Sequence, residues 1–303
     1  MRTEHYYPSE GAGKIRYLRW TPEMPPKAVV QIVHGIAEHV ERYEDFAAFL
    51  NGHGILVVAE DHMGHGKSDE VRGYFHGGWF TAVEDTYTLT KMMREEYPEA
   101  PLFLFGHSMG SFMTRTILCK HPKADIAGAI ICGTGWMPTA VLKMGAYAAD
   151  LVCRKNGEKT PSPKLQAMMF GSYNRRVEHP RTDSDWLSRD TKVVDAYVAD
   201  PLCGFTASCG LYRDMLRGML YIQTEQKLRK MNKALPVYFI SGGDDPVGGY
   251  GKGVRQAAEE FRKVGMTVVS EKIYPLCRHE ILNELNKQEV YGDVAKWLEK
   301  VMA

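Results

Sequence analysis

Residues 102 to 120 read LFLFGHSMGSFMTRTILCK. Four apolar residues, Leu102 to Phe105, have the length and composition of a strand buried on both faces. The segment SFMTRTILCK at 111 to 120 then reads as a helix. Between them stands Gly106-His107-Ser108-Met109-Gly110. A G-x-S-x-G run between a strand and a helix is the setting of a sharp turn that lifts a serine hydroxyl out of a sheet. The two glycines permit strand and helix to approach closely. The turn also sets Ser108 near the positive end of the following helix, where developing negative charge is favoured.

Working outward, the same alternation repeats. Ala28 to Val33 (AVVQIV) reads as a buried strand, Tyr43 to Leu50 as a helix stopping near Asn51-Gly52, and Ile55 to Ala59 as a second strand. It runs into the polar, glycine-rich DHMGHGKSDE at 61 to 70. Thr81 to Tyr97 reads as a long helix, with Thr81 and Glu84 at capping-box spacing. AGAIIC at 127 to 132 is a further strand. IRYLRW at 15 to 20 is expected to pair antiparallel, at the sheet edge, with residues near Glu4 to Tyr7. After a long gap, PVYFIS at 236 to 241, a helix from Gly251 to Lys263, a strand from Thr267 to Tyr274 and a helix from Val290 to Val301 complete the pattern. Strands alternating with helices predict the α/β class, a mostly parallel central sheet with helices on both faces.

Residues 135 to 234 break the alternation. They hold no convincing apolar strand, and prolines stand at 138, 161, 163, 180 and 201. We expect a core of residues 1–134 and 235–303 and a largely helical cap, or lid, of residues 135–234. A cap over the carboxyl edge of the sheet covers the place where such folds bind ligands. Seven of the sixteen methionines fall in this stretch, and Met168, Met169, Met215 and Met219 are candidates to face an apolar substrate.

A serine nucleophile needs a base and an acid, and on this fold they follow it in chain order, acid before histidine. Beyond residue 234 the one histidine is His279, just after the last strand. Asp244 and Asp245 both leave the preceding strand, in SGGDDPVGG. Asp245 is favoured to hold the imidazole tautomer and stabilise the imidazolium, and Asp244 to cap or solvate the turn.

Bulk properties narrow the function classes. The 303 residues carry a formal net charge of +1, with 44% apolar and 25% charged residues, an ordinary globular composition with no electrostatic reason to expect nucleic acid. Arg175 and Arg176 read as a solvated loop. The six cysteines, at 119, 132, 153, 203, 209 and 277, form no close pair and suggest neither zinc nor redox chemistry. His34, His39, His62 and His65 lack zinc-site spacing, and His34 and His62 are expected to pin loops by hydrogen bonds. No nucleotide-binding glycine pattern occurs, so no metal or organic cofactor is expected. MRTEHYYPSE does not read as a secretory signal, and no 18-residue apolar run occurs. A soluble cytoplasmic protein without stable membrane insertion is the expectation.

Beyond the serine turn, HGIAEHVERY at 34 to 43, DHMGHGKS at 61 to 68, SGGDDPVG at 241 to 248 and RHEILNE at 278 to 284 together resemble the monoacylglycerol lipase and lysophospholipase branch of the α/β-hydrolases, with the S33-type serine aminopeptidases. The resemblance spans nearly the whole chain. FGSYN at 170 to 174, DWLSRD at 185 to 190 and DPLCGF at 200 to 205 extend it into the cap. It implies a catalytic triad of Ser108, Asp245 and His279, and an oxyanion hole formed by the backbone N–H groups of Ile36 and Met109. Ile36 is bulkier than the animal lipases lead one to expect, and Met63 replaces the usual arginine of its segment. The implied reaction is hydrolysis of a small acyl-ester substrate, a monoacylglycerol, lysophospholipid or related ester, through an acyl-enzyme. A peptidase or amidase on the same triad and a non-catalytic binding protein on the same fold are the alternatives.

Overall fold

A computed structural model describes residues 1–68 and 71–303. Asp69 and Glu70, the last two residues of the glycine-rich run, lie outside the described residues. The elements follow in the order β1 (Arg2–Pro8), β2 (Lys14–Trp20), β3 (Ala28–Val33), α1 (Glu44–Gly52), β4 (Ile55–Glu60), α2 (Trp79–Glu96), β5 (Leu102–His107), α3 (Met109–Lys120) and β6 (Gly128–Cys132). Then come α4 (Thr139–Asn156), α5 (Pro163–Phe170), α6 (Thr191–Ala199), α7 (Cys209–Ile222) and α8 (Glu225–Leu228). The chain closes with β7 (Val237–Gly242), α9 (Lys252–Lys263), β8 (Val269–Tyr274) and α10 (Lys287–Met302).

The strands form one sheet in the order β1-β2-β4-β3-β5-β6-β7-β8. Strands β3 to β8 pair in parallel, and the edge hairpin expected from IRYLRW is present, with Tyr7 opposite Ile15 and Glu4 opposite Leu18. Every residue of β3, β4, β5, β6 and β7 is buried, which is why they read as continuous apolar runs and not as alternating ones. Gln31 is the polar exception within β3. Its amide donates to Thr86 O (2.8 Å) and Glu60 Oε2 (3.2 Å) and accepts from Thr90 Oγ1 (2.7 Å), so it is hydrogen-bonded through both ends.

Two cores cover the two faces. Phe46 and Leu50 of α1 pack with Val290, Val294 and Leu298 of α10 on one face. Val83, Met113, Ile117, Leu216 and Phe261, from α2, α3, α7 and α9, fill the other. Each large apolar side chain buried this way contributes about 1.5–3 kcal/mol.

One local expectation fails. Helix α2 begins at Trp79, and its N-cap is Gly78 at φ 81°, with no side-chain cap. Thr81 is already inside the helix, and its hydroxyl donates to Gly77 O (2.9 Å). Glu84 pairs with Lys120 and His121 instead. Burial of Trp79 decides the start: it packs on Gly218 of α7, where an added Cβ would lie 2.3 Å from the indole. Residues 135–234 carry α4 to α8 and, among the described residues, only an isolated bridge between Pro161 and Ser208. Among the described residues no helix is long and apolar enough to cross a membrane.

From β3 the chain moves to β4 on one side, then crosses back to β5 on the other. The carboxyl ends of β3 and β5 therefore flank a switch point, where open α/β sheets leave a crevice for ligands.

Candidate active site

Ser108 stands at that switch point, between β5 and α3. Its φ is 53°, in the left-handed region that non-glycine residues avoid. The turn is over-determined: Ser108 N–H donates to Cys132 O (3.0 Å), and Ser108 O accepts from the N–H (2.9 Å) and hydroxyl (2.6 Å) of Ser111. The two flanking glycines are sterically required. A Cβ on Gly106 would lie 2.3 Å from Thr114 Oγ1, and one on Gly110 would lie 1.9 Å from Val33 O. Helix α3 thus rests directly on the end of β3, and its first N–H groups, Met109 among them, lack partners within the helix.

His279 and Asp245 are fully buried together, with Nδ1 of the imidazole 3.0 Å from Asp245 Oδ1. Asp245 also accepts from Val247 N–H (2.8 Å) and Ser241 Oγ (3.1 Å). Burial alone would raise the Asp245 pKa, but the neighbouring imidazole and these donors outweigh it and hold the carboxyl below its ordinary value. Burial likewise works against a charged His279, and the Asp245 carboxylate outweighs it, holding the imidazole above its ordinary value. Asp244 is exposed, and its N–H caps Cys277 O (2.9 Å).

Ser108, His279, Ile36 and Met109 line a single cavity of about 550 Å³, and Asp245 sits behind His279. Phe112, Met137, Met169, Phe170, Met215 and Met219 make one wall apolar. Met168 is a correction: it is 52% exposed. It follows the solvent side of the short helix α5 while Met169 turns inward.

Several residues of the site were not singled out from the sequence. Glu38 Oε1 accepts from Gly35 N–H (2.6 Å) and Tyr43 OH (3.0 Å), and Oε2 accepts from Arg42 (2.8 Å). Arg42 also forms a two-pronged pair with Glu280, at 2.6 and 2.5 Å. Against the cost of burial, the guanidinium keeps the Glu280 carboxyl below its ordinary pKa. This triad ties the loop after β3 to the His279 loop. Glu38 and Arg42 lie in the segment HGIAEHVERY and Glu280 in RHEILNE, but the Arg42–Glu280 contact joins residues 238 positions apart. His107, whose ring centroid is 4.7 Å from that of His279, is pushed down to about 4 by burial and then by the His279 charge, so it is neutral. The Trp186 ring lies tilted against His279, centroids 5.0 Å apart, and Trp186 O accepts the His279 N–H (3.3 Å).

The four histidines of the sequence reading divide. His34 Nε2 accepts from His62 N–H (3.0 Å), His34 Nδ1 lies 2.7 Å from Gly35 O, and His62 Nε2 lies 3.0 Å from His34 O. Both pin loops, as expected. His65 Nδ1 lies 3.1 Å from Met63 O. His39, with Asp200 and Cys203, forms the one grouping of potential metal donors among the described residues. It sits between Glu41 Oε2 (2.7 Å) and Asp200 Oδ2 (2.8 Å). Burial opposes its charge, but hydrogen bonding with Cys203, Glu41 and Asp200 raises its pKa to about 11. Both ring nitrogens are thus engaged by carboxylates.

Comparison with known proteins agrees with this architecture. The family model for serine aminopeptidase, S33, matches residues 24–286. A monoacylglycerol lipase from Mycolicibacterium smegmatis is 29% identical over 98% of this chain and 97% of the relative. A monoglyceride lipase from Mus musculus is 27% identical over 92% of this chain and 84% of its own length. Among solved structures, a thermostable carboxyl esterase from Bacillus coagulans, in complex with glycerol, superimposes with a TM-score of 0.90 at 29% identity, covering 100% of this chain and 99% of that one. The chain belongs to the serine aminopeptidase S33 family, on the monoacylglycerol-lipase-like branch of the α/β-hydrolases, a family of serine hydrolases with ester-hydrolysing relatives.

Proposed function

We propose that the protein hydrolyses carboxylic esters, with monoacylglycerols, lysophospholipids or related acyl esters as the substrate class, through an acyl-enzyme on Ser108. The observation that carries this reading is the strained serine turn opening into the same cavity as His279, with Asp245 3.0 Å behind the imidazole. His279 takes the Ser108 proton as the hydroxyl attacks the ester carbonyl. The N–H groups of Ile36 and Met109 receive the oxyanion. His279 then protonates the leaving alcohol, and water activated by the same histidine releases the acid. Asp245 holds the imidazole and supports its charge.

Residues 135–234 act as the cap in this reading. Met215 and Met219 of α7 and Met169 of α5 enclose the cavity against the sheet edge. A concave, largely apolar wall beside a few polar groups suits an acyl chain with a small head group. The names of the relatives from Mycolicibacterium smegmatis and mouse support a monoacylglycerol. A hydrolysis panel of glycerol monoesters of graded length, lysophospholipids and aminoacyl amides tests the proposal. The expected result is preferred turnover of monoesters; faster turnover of the amides would replace the esterase reading with a peptidase one.

A further inference from the structure

The loop that carries Ile36 is clamped from outside the sheet. Ala37, the next residue, has a φ of 54°, a costly conformation for alanine that persists only where its surroundings enforce it. Its carbonyl accepts two hydrogen bonds, one from Tyr197 OH (3.0 Å) and one from Gly204 N–H (2.9 Å). The ion pair between His39 and Asp200 (2.8 Å) ties the same two segments together two residues further on. On the other side of Ile36, the Gly35 N–H is held by Glu38 (2.6 Å), whose partner Arg42 packs 4.8 Å from the centre of the Tyr197 ring. Burial holds the Tyr197 phenol above its ordinary pKa, so it remains a donor throughout the neutral range.

We propose that Tyr197 is a positioning residue: with Gly204 it staples Ala37 in the left-handed conformation and so aims the Ile36 N–H into the cavity. The inference rests on the hydrolase reading above. It makes residues 197–204 part of the catalytic frame, not a lid that lifts freely. Without the staple, Ala37 relaxes toward negative φ, the Ile36–Ala37 peptide turns with it, and the backbone dihedrals of Ile36 shift to keep the chain connected. The donor at Ile36 then points away from the developing oxyanion. Its loss appears in the transition state and not in substrate binding.

The test is Tyr197→Phe, which removes the hydroxyl and keeps the ring on Arg42, with folding followed by thermal melting. The expected result is kcat lowered about fivefold, the fold-change carried by one hydrogen bond of ordinary net strength, with KM unchanged. Across glycerol, methyl and p-nitrophenyl esters of one acid, kcat/KM falls by the same factor, because the oxyanion is common to all. Adding Ala37→Gly restores most of the loss, since glycine adopts positive φ without penalty. The proposal is overturned by unchanged kcat in Tyr197→Phe, by a defect confined to glycerol esters, or by no rescue from Ala37→Gly. If the parent enzyme cleaves none of these esters, the hydrolase reading itself fails. If the parent cleaves them and Tyr197→Phe keeps pace, only the staple fails.

Discussion

Replacing Asp245 by asparagine removes a full negative charge 3.0 Å from the His279 ring. At that separation and an effective dielectric of about 20, the attraction to an imidazolium is about 5 kcal/mol. An amide dipole retains only part of it, and asparagine can present only one acceptor oxygen to the two donors, Val247 N–H and Ser241 Oγ. The expected loss in kcat is therefore about 10³- to 10⁴-fold, at about 1.4 kcal/mol per factor of ten. Asp244→Asn, at an exposed position, is expected to stay within about twofold. The pH profile adds an independent reading. If the neutral imidazole is the base, as proposed, kcat/KM rises with pH through the His279 pKa. With Asp245 in place that pKa is raised, and the acid limb of the parent profile lies above pH 6.5. In Asp245→Asn the burial that opposes the charge is no longer outweighed, and the limb moves to lower pH. Steady-state hydrolysis of a p-nitrophenyl ester between pH 5 and 9 measures both effects. Equal losses in the two variants, or a limb that stays where it was, would refute the assignment.

Three further outcomes follow from other parts of the molecule. Gly110→Ala sets a Cβ 1.9 Å from Val33 O, and overpacking against backbone costs about 1–3 kcal/mol or more; we expect a lowered melting temperature with activity lost, and a variant of parental stability would contradict the close approach of α3 to β3. Replacing Met215 or Met219 by threonine removes apolar contact surface from the cavity wall and adds a hydroxyl, and at about 0.8 kcal/mol per buried methylene the turnover ratio of long to short esters should fall several-fold with a small activated ester little affected. Asp85 has its pKa raised to about 6, first by burial and further by Glu60, against hydrogen bonds from Glu10 N–H and Ser9 Oγ. The folded state therefore holds its proton more tightly than the unfolded chain. The stability this group contributes is present below pH 3.8 and lost as pH rises through about 6. Asp85→Asn should flatten the melting temperature between pH 4 and 7, and an unchanged slope would show that Asp85 does not drive it.

The sheet was legible because its central strands are buried on both faces, so Ala28–Val33 and Leu102–Phe105 stand out as apolar runs bounded by glycine or proline. The serine turn was legible because its steric demands fall on adjacent residues, Gly106 and Gly110. Helix boundaries were less so: the start of α2 is set by the packing of Trp79 on Gly218, across 139 positions of chain, and the local Thr81–Glu84 spacing was overridden. The outward turn of Met168 beside the inward Met169 depends on how α5 sits, which its eight residues do not encode. The polar frame of the site escaped the sequence for the same reason. Glu38, Arg42 and Glu280 acquire meaning only when the loops after β3 and β8 meet, and Tyr197 only when its hydroxyl reaches Ala37, 160 positions away.

The central claim is that Ser108 is the nucleophile, and its most direct test is intact-mass and peptide analysis after reaction with a fluorophosphonate. The expected result is a single adduct on Ser108, formed in parallel with loss of ester hydrolysis and absent from a folded Ser108→Ala variant that no longer turns over. An adduct on another residue, or near-normal hydrolysis by folded Ser108→Ala, would contradict it.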